Sequence, residues 1–238
     1  MSDLVLQKRV PYPALTPRAL PSLQVMDPAE WLIFDEAEAG QLALRRSLLA
    51  HERDRVLAAH PGSEAAQAEA VRMIAAHLRE HHGREVRARE LRDLAGLIQE
   101  DIVILEKRGG AHVMTAALLC FPASWLLAEK IGRPMAVIHE PVAEIDTRMD
   151  RQIERVFEAV RADRPMWRYN QLWYHDAALF QPRSAGDRRE KPKGQGDYLR
   201  TERQCLVRMP ETGGLIFSIH TYVVAREDVE VGGAALFA

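Results

Sequence analysis

At 238 residues, with 47% hydrophobic and 28% charged, the chain has an ordinary globular composition and room for one large domain or one with an appendage. Its formal charge of -2 gives no global field to recruit nucleic acid or an anionic membrane, and no run of about 18 apolar residues is present to span a bilayer. Cys120 and Cys205 are far apart and in no CxxC pair, so both read as reduced core thiols. The start MSDLVLQKRV is too mixed for a signal peptide, and a cytoplasmic location is the expectation.

Residues 1–40 open as an arm. Pro11, Pro13, Pro17, Pro21 and Pro28 fix φ and remove N–H groups, which predicts extended chain laid over the body. Helical patterns fill 41–98. Gln41 to His60 predicts a helix ended by Pro61-Gly62. Ser63 caps the next, where Val71, Ile74, Ala75 and Leu78 recur on one face before Gly83 closes it. A third runs from about Arg87 to Gln99.

The period then changes. Ile102 to Glu106 and Val113 to Cys120 are β-rich and joined by Arg108-Gly109-Gly110, a hairpin signal. Pro122 starts a short helix that Gly132 and Pro134 end. Asp146 caps a helix with the apolar stripe Met149, Ile153, Val156, Phe157 and Val160. A strand is expected over Met166 to Tyr174. Leu199 to Met209 and Leu215 to Val224 follow, joined by Pro210 to Gly214 as a second hairpin. Two strands, helices and three further strands is the order of an α+β, PAS-like domain. An antiparallel five-stranded sheet and its helices would there enclose a pocket over 99–230, in one structural domain with the preceding helical segment.

Several residues carry possible chemistry. His139 stands between an apolar run and Pro141; a hydrogen-bonded structural role is the plain reading, and ligation of a metal such as haem iron is the sharper one. His77, His81 and His82 form a possible metal edge near a helix end, where the dipole alone favours histidine. Alternation on the last strand puts Leu215, Phe217, Ile219, Thr221 and Val223 on one face, with Ser218, His220 and Tyr222 on the other. If that second face lines a cavity, His220 competes with His139. Glu202, Gln204 and Arg208 share a face opposite Arg203, Cys205 and Val207. The basic loop Arg183 to Asp197 lacks aromatics to stack on bases, so it reads as a surface loop or a docking patch for an acidic partner. Gly194-Gln195-Gly196 lacks a third glycine, and neither HExxH nor GxSxG occurs, so Rossmann cofactors, zinc proteolysis and acyl transfer find no support.

The blocks Gln99-Glu100-Asp101, Cys120-Phe121-Pro122 with Trp125, Ala128 to Pro134 (AEKIGRP) and Ile138-His139-Glu140-Pro141-Val142 continue in Arg168 and Asn170. Ala178 to Pro182 (ALFQP), Leu199 to Gln204 (LRTERQ), Arg208-Met209-Pro210 and Phe217 to Tyr222 complete the set. This ordered set, across about residues 99 to 224, resembles the catalytic subunit of haem-dependent oxidative N-demethylases. The resemblance implies a PAS-like fold holding haem b and oxidation of a small methylated amine by O2, with release of formaldehyde. Electrons would come from a separate flavin or iron–sulfur reductase. Three features depart from the family pattern: Gln171 follows Asn170 where tryptophan is usual, His220 replaces an arginine, and the sequence stops soon after the last strand. They affect substrate identity more than fold.

On that resemblance His139 is the expected axial ligand, with His220 the alternative. Arg133, Arg168 and Arg203 are expected to meet the propionates, and Trp125 the macrocycle. Glu202, Asp101 and Asn170 are the expected catalytic residues, Glu202 leading as partner of the amine cation. A haem-binding sensor or carrier, a haem oxygenating enzyme with another small substrate, and a structural subunit that lost haem are the alternatives. A homo- or hetero-oligomer is compatible with each.

Overall fold

The computed structural model describes residues 5–15, 22–134, 147–184, 186–187 and 196–232. Eight strands form one antiparallel sheet: β1 (Gln24–Val25), β2 (Leu57–Ala59), β3 (Asp101–Arg108), β4 (Ala111–Leu118), β5 (Met166–Tyr169), β6 (Leu172–Tyr174), β7 (Tyr198–Arg208) and β8 (Leu215–Ala225). Their order is β1-β5-β7-β8-β3-β4-β2, with β6 also pairing β7. The expected five-stranded sheet is therefore larger, because the arm, a former helix end and a split strand each add a piece.

Both hairpins form where the turn chemistry places them. Gly109 and Gly110 have φ of 60° and 89°, as a tight two-residue turn between twisted strands requires. β7 and β8 pair over their full length, from Tyr198 opposite Ala225 to Arg208 opposite Leu215. That register sorts the side chains. Glu202 faces Thr221, Gln204 faces Ile219 and Leu206 faces Phe217 on one side, and Thr201–Tyr222, Arg203–His220 and Cys205–Ser218 pair on the other.

Five helices are described: α1 (Glu38–His51), α2 (Arg53–Val56), α3 (Glu64–His82), α4 (Thr147–Ala159) and α5 (Arg226–Gly232). α1 and α3 cover the second side, where Ile74 and Leu78 pack with Ile102, Ile104, Cys205, Val207 and Ile216. α4 covers part of the first side, where Phe157 and Val160 meet Val103, Leu105, Leu206, Leu215 and Ile219. Arg208 donates to the Val160 and Phe157 carbonyls and so closes the C-terminus of α4. The arm lies along β8: Gln7 exchanges bonds with Val223, and Tyr12 stacks on Tyr169 at 4.7 Å.

Some expected elements change. The helix predicted from Gln41 to His60 breaks at Glu52, and Leu57–Ala59 become a strand because β4 offers Ala116 to Leu118 as a ladder. The third helix shrinks to a 3-10 run, Leu91–Gly96, capped reciprocally by Glu90 and Asp93. After Pro122 only a 3-10 turn forms, Leu127–Glu129. The strand expected over Met166 to Tyr174 splits at Asn170, whose side chain turns toward β7. Ser63 does not cap α3 through its side chain; its hydroxyl donates to the His60 carbonyl instead. Asp146 and His139 lie outside the described residues.

Candidate functional site

The polar centre of the α4 side is Glu202. Strand alternation points it to the side that α4 only partly covers, and it is 7% exposed. Asn170 Nδ2 donates to Glu202 Oε2 at 2.7 Å, and Gln204 Nε2 donates to the same oxygen at 3.1 Å. Glu202 Oε1 has the Arg200 Nε at 3.7 Å, an ion pair too long for a hydrogen bond. One carboxylate oxygen is thus doubly held and the other is not.

Around Glu202 three buried donors lack a hydrogen-bond partner: Arg168 Nε, Arg200 Nε and Thr221 Oγ1. Arg200 is otherwise committed, donating to the Leu179 and Phe121 carbonyls at 3.0 and 2.6 Å. Arg168 differs. It stands opposite Gln204 on β5, and its guanidinium makes no hydrogen bond or ion pair with any described residue. Burial pushes its pKa down, an effect that the Glu202 charge only partly offsets. Such a cation is short of an anion.

Apolar surface adjoins this polar patch. Phe217 and Met166 stay partly exposed although both stand on interior strands, and Trp125 and Ile131 pack onto the same cluster. Glu202, Asn170, Arg168 and Trp125, four of the expected site residues, therefore belong to the α4 side.

Asp101, Arg203 and His220 separate from it. Asp101 is fully buried as a structural hub: it pairs with Arg45 at 2.5 Å and accepts from the Cys120 and Phe121 amides at 2.7 and 2.8 Å. Arg203 is spent on the opposite side, donating to the Trp31 and Glu30 carbonyls at 3.0 and 2.7 Å and lying 5.1 Å from the Trp167 ring. Arg133 is exposed on the turn beside β4, where its carbonyl accepts from Met114.

His220 also changes role. Its Nδ1 meets Glu100 at 3.0 Å and its Nε2 meets Asp35 at 3.0 Å. Burial would lower its pKa, but the bonds and charges of Asp35 and Glu100 prevail and raise it to about 9. Both nitrogens of this imidazolium donate to carboxylates, so neither is left for iron, and the alternative axial assignment fails on that ground. His77 packs at 5.3 Å from Trp31; burial, then its neighbours His81 and His82, lower its pKa to about 4. It is a buried ring whose Nε2 accepts from the Leu32 amide at 3.4 Å. No group of three or more metal-ligating side chains occurs among the described residues. No described helix is long and apolar enough to cross a membrane.

The sequence missed Gln204 as the second donor to Glu202, and Thr221 as its cross-strand neighbour. Strand alternation, which puts Gln204 beside Glu202 on one face, was the signal available. The Asp35–His220–Glu100 cluster had none, since it joins three segments distant in sequence.

A family model described as "Haem-dependent oxidative N-demethylase, alpha subunit-like" matches the chain over residues 22–84 and 81–235. No curated protein sequence matches it.

Proposed function

The chain belongs to the haem-dependent oxidative N-demethylase alpha subunit-like family, and from that premise we propose that it oxidises a small methylated amine and releases formaldehyde at the α4 side of the sheet. The observation that carries this reading is Glu202: a buried carboxylate with one oxygen fixed by two amides and the other short of a hydrogen bond. An amine that enters such a site is a cation at neutral pH and needs a fixed anion to offset desolvation. Asn170 and Gln204 orient the carboxylate. Trp125 and Phe217 supply apolar surface that excludes water from the methyl groups.

The residues fit a haem. Partly exposed Phe217, Met166, Trp125 and Ile131 suit a flat apolar ring, and the exposed Arg133, two residues after Ile131, remains as a cation for its carboxylates. In the fuller reading the group is haem b, whose iron His139 would hold. When bound it would supply O2 activation. Each methyl group removed consumes one O2, two electrons and two protons, and yields the demethylated amine, formaldehyde and water. No flavin fingerprint or cysteine cluster stands in the sequence, so a separate flavin or iron–sulfur reductase is proposed as donor, docking on the basic loop Arg183 to Lys193. The strand order β4-β3-β8-β7-β5 within the sheet supports the PAS-like reading.

The test supplies dimethylamine to haem-loaded protein with a chemical reductant and O2 and measures formaldehyde. Formaldehyde that depends on amine and is lost in Glu202→Gln is the expected result. Haem retained with neither product nor an amine-induced spectral shift would point instead to a sensor or carrier.

A further inference from the structure

Arg168 and Glu202 together constrain the substrate more than either does alone. Arg168 is a partly buried guanidinium whose shielded Nε has no acceptor, and it makes no ion pair with a described residue. Glu202 lies on the neighbouring strand, close enough for its charge to act on Arg168 but with no direct bond between them. Gln204 stands between the two, opposite Arg168 across the strands and bonded to Glu202.

Buried donors without partners are uncommon and costly, so the site should meet a ligand that satisfies them. A lone anion at Arg168 would be repelled by the adjacent Glu202 carboxylate. A lone cation at Glu202 would be repelled by Arg168. At the low effective dielectric of a partly buried site neither repulsion is well screened. A ligand that carries both charges, in the order Arg168 and Glu202 require, turns both repulsions into attractions.

We propose that the substrate is an N-methylated amino acid, its carboxylate held by Arg168 and its ammonium by Glu202 Oε1. This rests on the amine reading above and narrows it. The methyl groups then lie toward Phe217 and Trp125, and Arg133 is left for a haem carboxylate. Asn170 serves as a positioning residue that holds Glu202 rather than touching the ligand.

The experiment is calorimetric titration of the haem-loaded full chain with N,N-dimethylglycine, dimethylamine and acetate, in wild type, Arg168→Gln and Arg168→Lys. Arg168 makes no bond that folding depends on, so both variants should fold; thermal melting checks this. N,N-dimethylglycine should bind roughly tenfold or more tighter than dimethylamine, the worth of one charge-assisted hydrogen bond. Arg168→Gln should erase that advantage, and Arg168→Lys should keep part of it. Equal affinities in wild type, or an advantage that survives Arg168→Gln, would overturn the proposal and leave the amine reading standing. A lowered haem affinity in Arg168→Gln, with the two amines unchanged, would assign Arg168 to the haem and also overturn it. If neither amine binds and no formaldehyde forms from either, the amine reading itself fails.

Discussion

Asn170 and Glu202 clasp each other in both directions: Asn170 Nδ2 donates to Glu202 Oε2 at 2.7 Å, and Asn170 Oδ1 accepts from the Glu202 amide at 2.9 Å. The Asn170 amide and the Glu202 carbonyl add a third bond at 3.2 Å. The clasp ends β5 and fixes the carboxylate rotamer at the same time. Its removal should therefore loosen the amine site before it loosens the fold. Asn170→Ala is expected to weaken amine binding by roughly tenfold, with stability lowered by about 1–2 kcal/mol. Asn170→Asp sets a second carboxylate against Glu202, drives one of the pair to hold a proton, and should make amine binding rise with pH. Titration of both variants across pH reads this directly; a pH-independent Asn170→Asp affinity would count against the clasp.

The Asp35–His220–Glu100 cluster makes stability depend on pH in both directions. Burial lowers the His220 pKa, but hydrogen bonds and charge from Asp35 and Glu100 raise it from 6.5 to about 9. Its stabilisation is therefore complete below about pH 6.5 and is lost as pH rises through 9. Burial raises the Asp35 pKa, but the bond and charge of His220 lower it from 3.8 to about 2, and Glu100 is likewise lowered. The Asp35 contribution is present above pH 3.8 and is lost as pH falls through 2, and the Glu100 contribution is likewise lost in acid. Melting temperature should peak between about pH 4 and 6.5 and fall on either side. His220→Gln leaves two carboxylates buried without their cation, an expected loss of about 3–5 kcal/mol, and should remove the alkaline fall. An unchanged alkaline slope in that variant would place the titration elsewhere.

Local signals carried much of the fold. The Gly109-Gly110 turn, the α3 stripe closed by Gly83 and the β7–β8 hairpin are each dictated by a few adjacent residues, and each forms as read. What was not legible depended on distant partners. Leu57–Ala59 reads as helix until β4 is placed beside it, and Asn170 reads as strand until Glu202 is placed opposite. The candidate site divided in the same way. Alternation put Glu202 and Gln204 on one face, yet a charged residue in a strand does not reveal whether it meets a ligand, as we propose for Glu202, or a structural partner, as Asp101 and Arg203 do.

Asp101 gives a test of that distinction. It joins α1 to the sheet through Arg45 and fixes the Cys120 and Phe121 amides, all within a fully buried setting. Asp101→Asn leaves the Arg45 guanidinium buried without its anion and should cost about 3–5 kcal/mol. Denaturant unfolding should show this loss, while haem affinity and amine affinity per folded molecule stay near wild type. Full stability with lost turnover would restore Asp101 to the reaction.

Haem ligation turns on the two histidines that the sequence set in competition. His220 has both ring nitrogens engaged by carboxylates, so a bond to iron would require it to give up a buried ion pair as well as a proton. His139, in the family-like block Ile138 to Val142, lies outside the described residues and remains the proposed ligand. His139→Ala should abolish or strongly shift the Soret band on haem titration, with a far-UV spectrum and melting temperature close to wild type. His220→Gln should do the reverse, lowering stability while the folded fraction still gives a wild-type Soret band. Added imidazole should restore a wild-type-like Soret band to His139→Ala, since the missing donor is a neutral ring nitrogen. A normal band in His139→Ala, unaffected by imidazole, would move the ligand to another residue.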